Sequence, residues 1–556
     1  MTERRPFIRF FPLDLPLGMF ALSAFVAIWP AYDRSLCWNT LLTLLAGFLL
    51  YVTISRLAVS RRRWLAMAAF VVLTGVLLSI DTIAQYPDLA YAGKAGLISR
   101  LSAFLAQVIP SPSTWTPVGN SAATYLEGLI FLAAALTLTF KRNVWRIVGV
   151  AGVLLMALGL LTSTSRGAWV GVLLASAVWA TLYWRPARWG IAGGALLLTG
   201  MILYVILQGD VTALNDIPIL NRTLAPIFIR PDRLEVYRNS VYLIQDFPLT
   251  GIGLGEQFAM TLSRYALLIQ VPFLTYSHNL YLQVWLEQGL LGIVAWLWTL
   301  AVFYQATFTY SKRGPDLLYQ ATWLGLTANL LHGFTDARQY VDLWCWLPCF
   351  ALLGLNAAIV SRRSRRRPRQ WRWPISAGVA LLFLIVVLVS LHPLPAAWHA
   401  NQGCVLQARG DLSDPLTDVQ RTDLRREAEA RYRQAIHIAS LNRTAQQRLG
   451  LILVDQNRFQ EAVEHLALAQ QADPHNTTTH KGLALAYVWT GELEKARPLL
   501  QDVPDIVQEL NTWGWWRSTQ DQIEQSINAY RISLLLAPEQ PEVRERVEQL
   551  EKEFLE

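Results

Sequence analysis

The chain is 556 residues long, more than one ordinary soluble domain of ~100–200 residues. It is 53% hydrophobic and only 16% charged, with a mean hydropathy of +0.30, where a soluble protein carries roughly 25% charged residues; this excludes a disordered chain or a purely soluble enzyme. The 4 cysteines, Cys37, Cys345, Cys349 and Cys404, are too few for a disulfide scaffold or a cysteine-rich zinc module.

Charge divides the chain in two. Residues 395–556 hold 17 basic and 24 acidic residues, a net −7. Residues 1–394 hold 31 and 16, a net +15. The first part is a series of apolar runs, and a helix needs about 20 apolar residues to cross the hydrocarbon core. Spans are expected near 15–32, 36–58, 64–81, 119–140, 145–163, 167–184, 189–208, 280–308, 317–334, 341–360 and 373–392, eleven in all. The first is interrupted by Pro16 and Pro30 and lacks a small-residue cleavage site, so it is expected to be an uncleaved span. The 22 tryptophans suit the aromatic belts of a membrane protein.

Orientation follows from Lys and Arg in the short connections. With the N-terminus in the cytoplasm, Arg4, Arg5, Arg9, Arg56, Arg61–Arg63, Lys141, Arg142, Arg146, Arg185, Arg188, Lys312, Arg313 and the run from Arg362 to Arg372 all fall inside. Such arginine runs also suit nucleic acid, but their confinement to one side is the topology signal, and no nucleic-acid partner is expected. Two connections on the other side are long, about 82–119 and 209–277. Long loops in a compact fold are usually functional or disordered. The second alternates apolar and charged residues around a Gly-rich turn, so ordered half-helices at the membrane surface are expected there.

Residues 395–556 repeat with a period of 34. Leu449-Gly450, Leu453, Ala462, Leu466 and Ala469 recur as Leu483-Ala484, Tyr487, Ala496, Leu500 and Val503. A further copy carries Trp513-Gly514, Tyr530 and Pro538, and a partial one Ala428, Tyr432 and Ala435. The pattern resembles the tetratricopeptide repeat, whose small residues let antiparallel helices pack closely. The fold class expected is therefore all-α: a polytopic membrane bundle over 1–394, then an α-solenoid over 395–556 lying outside the membrane. On this reading the solenoid is separable from any site in the bundle.

Three clusters carry chemistry. Arg166, in LLTSTSRGAWVGVLL, sits at the end of two consecutive spans, and an ionisable residue near membrane depth marks function by default. In RPDRLEVYRNSVYLIQDFPLTGIGLGEQF, Arg230, Arg233 and Arg238 lie close together; on a helix, Arg233, Tyr237 and Ser240 share one face. Guanidiniums suit phosphate or pyrophosphate through bidentate forks. The Gly251–Gly255 run that follows lacks the strand context of a dinucleotide site, and a flexible turn explains it as well. Last, SHNLYLQVWLEQGLLG places His278 and Asn279 at a span mouth, with Glu287 about two turns deeper. Histidine is the usual general base near neutral pH, although a cap or core role also fits a His beside a helix start.

No HExxH, GxSxG, P-loop or CxxC is present. Asp336 and Asp342 are six apart with no evident third partner for Mg²⁺. No cofactor or metal is expected, and the energy for any reaction must arrive in the substrate.

The stretches TSTSRGAWVG, DFPLTGIGLGEQF with its arginines, and SHNLYLQVWLEQGLLG, in that order, resemble the O-antigen ligase and O-antigen polymerase superfamily over about residues 110–360. PVGNSAATYLEGL resembles that family's earlier Asn-containing segment in weakened form. The resemblance implies a bacterial inner-membrane glycosyltransferase with an undecaprenyl-pyrophosphate-linked glycan as donor and a hydroxyl on a glycan, lipid or protein as acceptor. It implies that Arg166 and Arg233 bind the pyrophosphate and that His278 acts on the acceptor; their sequence neighbours Arg230, Arg238 and Asn279 are expected to assist in binding. Inversion at the anomeric carbon without a metal follows from the same comparison. The rival expectation is a transporter or flippase of lipid-linked or polysaccharide substrates with a tetratricopeptide docking domain. Against it, the two halves show no duplication and the ionisable residues lie at one mouth rather than at the midplane.

Overall fold

A computed structural model describes residues 11–85, 119–184, 231–268, 274–311, 316–342, 344–364, 373–503 and 505–555, with a few isolated positions near 100–107 and 186–190. Every regular element among them is a helix. The first part comprises α1 (Asp14–Val26), α2 (Cys37–Leu57), α3 (Arg61–Ala84), α4 (Asn120–Thr139), α5 (Asn143–Thr162), α6 (Arg166–Tyr183), α7 (Pro231–Asp246), α8 (Phe258–Tyr265), α9 (Leu280–Ser311), α10 (Leu317–His332), α11 (Arg338–Val341), α12 (Leu347–Ser364) and α13 (Trp373–Ser390).

Ten of the eleven expected spans contain a helix, while most of 189–208 lies outside the described residues. Among the described residues, five helices are long and apolar enough to cross a membrane: α2, α3, α4, α5 and most of α9. The number rises to six if the bent pair formed by α13 and the next helix counts as one span. The others are shorter: α1 has 13 residues and α10 has 16, about 20 and 24 Å at 1.5 Å per residue.

The bundle core is one cluster in which α2 packs on α12, α1 lies along α9, and α10 is held between α4 and α6. Helices α7 and α8 are the ordered half-helices expected of the 209–277 loop; residues 209–230, with Arg230, lie outside the described residues.

The Gly251–Gly255 run is buried rather than a flexible turn. It threads against a break in α9, where Gly289 leaves the helical region at φ 64° and ψ −161°. Ile252 N donates to Leu286 O at 2.6 Å and Leu290 N to Leu249 O at 3.1 Å. A Cβ on Gly251 or Gly289 would overlap the opposing backbone, so both must be glycine. Glu287 accepts from Gly255 N at 2.7 Å and from Gln283 Nε2 at 2.7 Å, so it fastens this loop.

The second part comprises α14 (Leu394–Leu412), α15 (Asp418–Ile438), α16 (Arg443–Asp455), α17 (Phe459–Ala472), α18 (Thr477–Trp489), α19 (Leu493–Leu500), α20 (Ile506–Thr519), α21 (Ile523–Leu536) and α22 (Pro541–Leu555). They stack as antiparallel pairs closed by α22. The 34-residue period shows in the caps: Asn442 accepts from Ala445 N at 2.9 Å, and Asn476 from Thr479 N at 3.0 Å. The small periodic residues Ala462, Ala469, Ala484 and Ala496 are buried between helices.

The two parts share a core across residue 394. Val236, Leu243, Phe247, Phe258 and Tyr265 of the loop helices pack in one cluster with Cys404, Tyr432, Leu449 and Leu466 of the repeats. At its centre Asp246 is buried and accepts from Arg443 Nη1 at 2.7 Å, from Thr444 Oγ1 at 3.1 Å and from Arg448. Burial alone would raise its pKa, but the Arg448 and Arg443 guanidiniums hold it below the usual carboxylate value.

Candidate functional site

The three expected clusters converge on the turn between α10 and α11. Three successive carbonyls of that turn are taken from one side. Leu280 N donates to Gly333 O at 2.7 Å. Asn279 Nδ2 and Tyr237 Oη donate to Phe334 O at 3.1 and 3.3 Å. Arg233 Nη1 donates to Thr335 O at 2.8 Å. Arg233 and Tyr237 share the helix face expected of them, and Ser240 on the same stripe is buried. Arg238 is exposed.

Helix α6 packs on the same turn. Ser165 caps it through Ala168 N at 3.4 Å, which makes Arg166 the first helical residue. Gly167 and Gly171, one turn apart, let α6 press on α10. A Cβ at Gly167 would sit 2.6 Å from the His332 ring and 2.7 Å from Thr335 Oγ1. At Gly171 it would sit 2.6 Å from Ala328 O. Arg166 and Arg233 therefore belong to elements that touch the same residue, Thr335. An α-helix N-terminus favours negative charge through its aligned dipoles and unpaired N–H groups. A guanidinium at that position adds a full positive charge to the same attraction.

His278 is next to this turn. Its carbonyl accepts from Tyr237 Oη at 3.1 Å, its φ is +52°, and its ring lies 4.3 Å from that of Tyr276. A non-glycine residue in the left-handed region is uncommon, and such strain concentrates at functional sites. Tyr276 in turn lies under the Arg338 guanidinium at 4.8 Å. Burial first, and then the Asp336 charge, push the Tyr276 phenol above its ordinary value, with Arg338 opposing them. Burial likewise raises Tyr237, against the pull of Arg233, so its hydroxyl stays a donor. Asn279 caps α9 by accepting from Tyr281 N and Leu282 N at 3.0 and 3.1 Å, so its amide already has a structural task.

Four residues that shape the site lie outside the three sequence clusters or escape notice within them. Glu127 and His332 are fully buried and 3.1 Å apart. Asn329 Nδ2 donates to Glu127 Oε1 at 2.9 Å, and Ser165 Oγ lies 3.5 Å from His332 Nε2. This chain of contacts runs from the middle of α4, across α10, to the cap of α6. The rule that singles out Arg166, an ionisable residue within an apolar run, applies equally to Glu127. Asp336 and Asp342 hold protein donors: Asn120 Nδ2 at 2.9 Å and the Ala337 and Arg338 amides for the first, Arg338 and Ser121 for the second. Asn120 belongs to the Asn-containing segment PVGNSAATYLEGL. Cys345 and Cys349 are buried core thiols. Among the described residues no group of three or more His, Cys, Asp or Glu side chains stands together as a metal site.

The arrangement brings the N-terminus of α6 and the Arg233 guanidinium to one turn, with His278 beside it. That is the equipment for holding a phosphorylated leaving group while a hydroxyl loses its proton. Compared with known families, residues 151–297 match O-antigen ligase and residues 453–511 match the tetratricopeptide repeat. The first match contains Arg166, Arg233 and His278 but stops before the turn that gathers them. No curated protein matches the chain.

Proposed function

We infer that this chain, with its O-antigen ligase region and its tetratricopeptide repeats, is a membrane glycosyltransferase that moves a glycan from an undecaprenyl-pyrophosphate donor to an acceptor hydroxyl. The observation that carries the reading is the meeting of the α6 N-terminus, Arg233 and His278 at the turn 333–335. Arg166 and Arg233 neutralise the pyrophosphate. His278 takes the proton of the acceptor hydroxyl as its oxygen forms the new bond to the anomeric carbon. The bond from that carbon to the phosphate oxygen breaks, and lipid pyrophosphate leaves with the electron pair. Attack from the face opposite the leaving group inverts the centre. A positioned base removes the proton, and fixed cations stabilise the charge that develops on the leaving group; together these lower the barrier. The two guanidiniums do the neutralising that a metal ion otherwise performs.

The basic short loops support an inner-membrane protein with its N-terminus in the cytoplasm and both the site and the repeats on the far side. The break at Gly289 would favour the transporter reading, since transporters bind substrate at interrupted helices. The backbone of Leu249–Gly251 fills that break, which supports a structural role for it instead. The test is to give the purified chain a lipid-pyrophosphate glycan and candidate acceptors. Transfer that survives EDTA and is lost in Arg233→Ala is expected; glycan that crosses the bilayer without forming a new bond would establish the transporter instead.

A further inference from the structure

A cavity of about 570 Å³ lies away from this turn, between the end of α8 and helices α16, α18 and α20. That volume is in the range of ligand sites, roughly 300–1,000 Å³. One wall is built of indoles. Trp489 and Trp513 stand 6.0 Å apart, and Trp513 and Trp516 5.5 Å apart, both edge to face. The Arg517 guanidinium lies 4.5 Å from the Trp489 ring and 5.3 Å from that of Trp516, which stiffens the set. Trp516 is nevertheless 41% exposed and Trp515 60%. Trp516, held by Trp513 and Arg517, and its neighbour Trp515 thus leave apolar faces open, and an exposed apolar patch marks a binding surface.

The charges of the cavity restrict what binds. Arg264 already lies between Asp411, at 3.1 Å, and Asp455. Arg517 donates to Asn457 Oδ1 at 3.0 Å and to Gln522. Both wall arginines thus have acceptors, which disfavours a phosphate or a peptide carboxylate as the occupant. Of the remaining wall groups, Asp455 and Gln522 already accept from those arginines and Glu509 from Lys481 Nζ at 2.6 Å, which leaves the exposed Thr512 and Gln520 to meet hydroxyls. The electron-rich face of an indole attracts polarised C–H groups. A neutral oligosaccharide, with C–H faces and hydroxyl edges, matches both features.

The cavity is also within reach of the site. Leu267 and Leu268 form part of its wall, and ten residues further on stands His278, within about 35 Å even if that stretch were fully extended.

We propose that this cavity grips the acceptor glycan away from its reacting end, stacked on Trp515 and Trp516. The proposal rests on glycan transfer as the activity and adds that the acceptor is itself a glycan chain. The test uses the full chain in a detergent without a sugar headgroup, titrated with glucan, mannan and N-acetylglucosamine oligomers of two to six units. At least one series binds more tightly with length, and Trp515→Ala and Trp516→Ala each weaken it about tenfold or more, the usual effect of losing an aromatic anchor. In the transfer reaction the same variants raise KM for long acceptors and leave the shortest unchanged. Binding by none of the three series, binding indifferent to both substitutions, or displacement of bound sugar by peptides overturns the proposal. If transfer fails with every acceptor, the activity falls, and the titration alone decides the cavity. Trp515 is on the surface, and a thermal melt of Trp515→Ala checks that the fold persists.

Discussion

Arg233 donates one arm of its guanidinium to the Thr335 carbonyl, so its substitution removes both a charge and a strut. Arg233→Ala and Arg166→Ala should each weaken donor binding by about 2–5 kcal/mol, the range for leaving a partly desolvated charge unpaired. Lysine should rescue Arg233 only in part, because it cannot give one donor to the turn and a bidentate fork to the substrate. Equilibrium binding of the lipid-linked donor measures this, and full rescue by Arg233→Lys would show that Arg233 is no strut. His278→Ala should behave differently: donor still binds, and turnover falls roughly 10²–10⁴-fold, the usual worth of a general base. Turnover of the unmodified protein should also drop in acid, since an imidazole must be neutral to accept a proton. Near-normal turnover in His278→Ala would shift the search for a base to Asp336, the buried carboxylate of the same turn.

Between elements, the Asp246 clasp joins α7 to α16. Asp246→Asn leaves Arg448 buried without its carboxylate and should destabilise the loop–repeat contact by about 3–5 kcal/mol. The clasp also has a definite pH sign. The folded carboxyl titrates below its ordinary value. Its stabilisation is therefore complete above the unfolded pKa of about 3.9 and is lost as pH falls through the folded value. Limited proteolysis within 231–268 should stay constant from pH 7 to 5 and rise only in stronger acid, with Asp246→Asn cleaved rapidly throughout. Uniform protection at every pH in both proteins would mean that the apolar part of the shared core holds the contact alone. Gly289→Ala is the matching test in the membrane part. A methyl there meets the Leu249–Gly251 backbone at a positive φ, and such strain typically costs about 1–3 kcal/mol, visible as a lowered Tm.

For the whole molecule, the repeats look separable in sequence, because charge and periodicity both change near residue 395. The continuous core ties them to the loop helices instead. Truncation after Leu394 would bare Val236, Phe258 and Tyr265 and remove both arginine partners of Asp246. The truncated protein should keep its bundle helices but lose order in α7, and with α7 the Arg233 contact to Thr335. Circular dichroism near that of the parent bundle, together with lost donor binding, is the expected result. Intact donor binding would show that α7 is held by the membrane part alone.

Sequence by itself determined the helical class, ten of the helical segments, the 34-residue period and the three clusters, because each is written in local pattern: apolar length, small-residue spacing, charged residues in apolar runs. It also named Arg166, Arg233 and His278 as candidate site residues. Only the tertiary structure decided where they meet. The turn 333–335 contributes backbone carbonyls, which no side-chain pattern announces, and it joins Arg233 to Thr335 across 102 positions. The pairing of Glu127 with His332 spans 205 positions, and the cavity between α8 and α20 needs chain segments that share no motif. Local periodicity sets which faces are apolar; which face meets which is settled by packing across the whole chain.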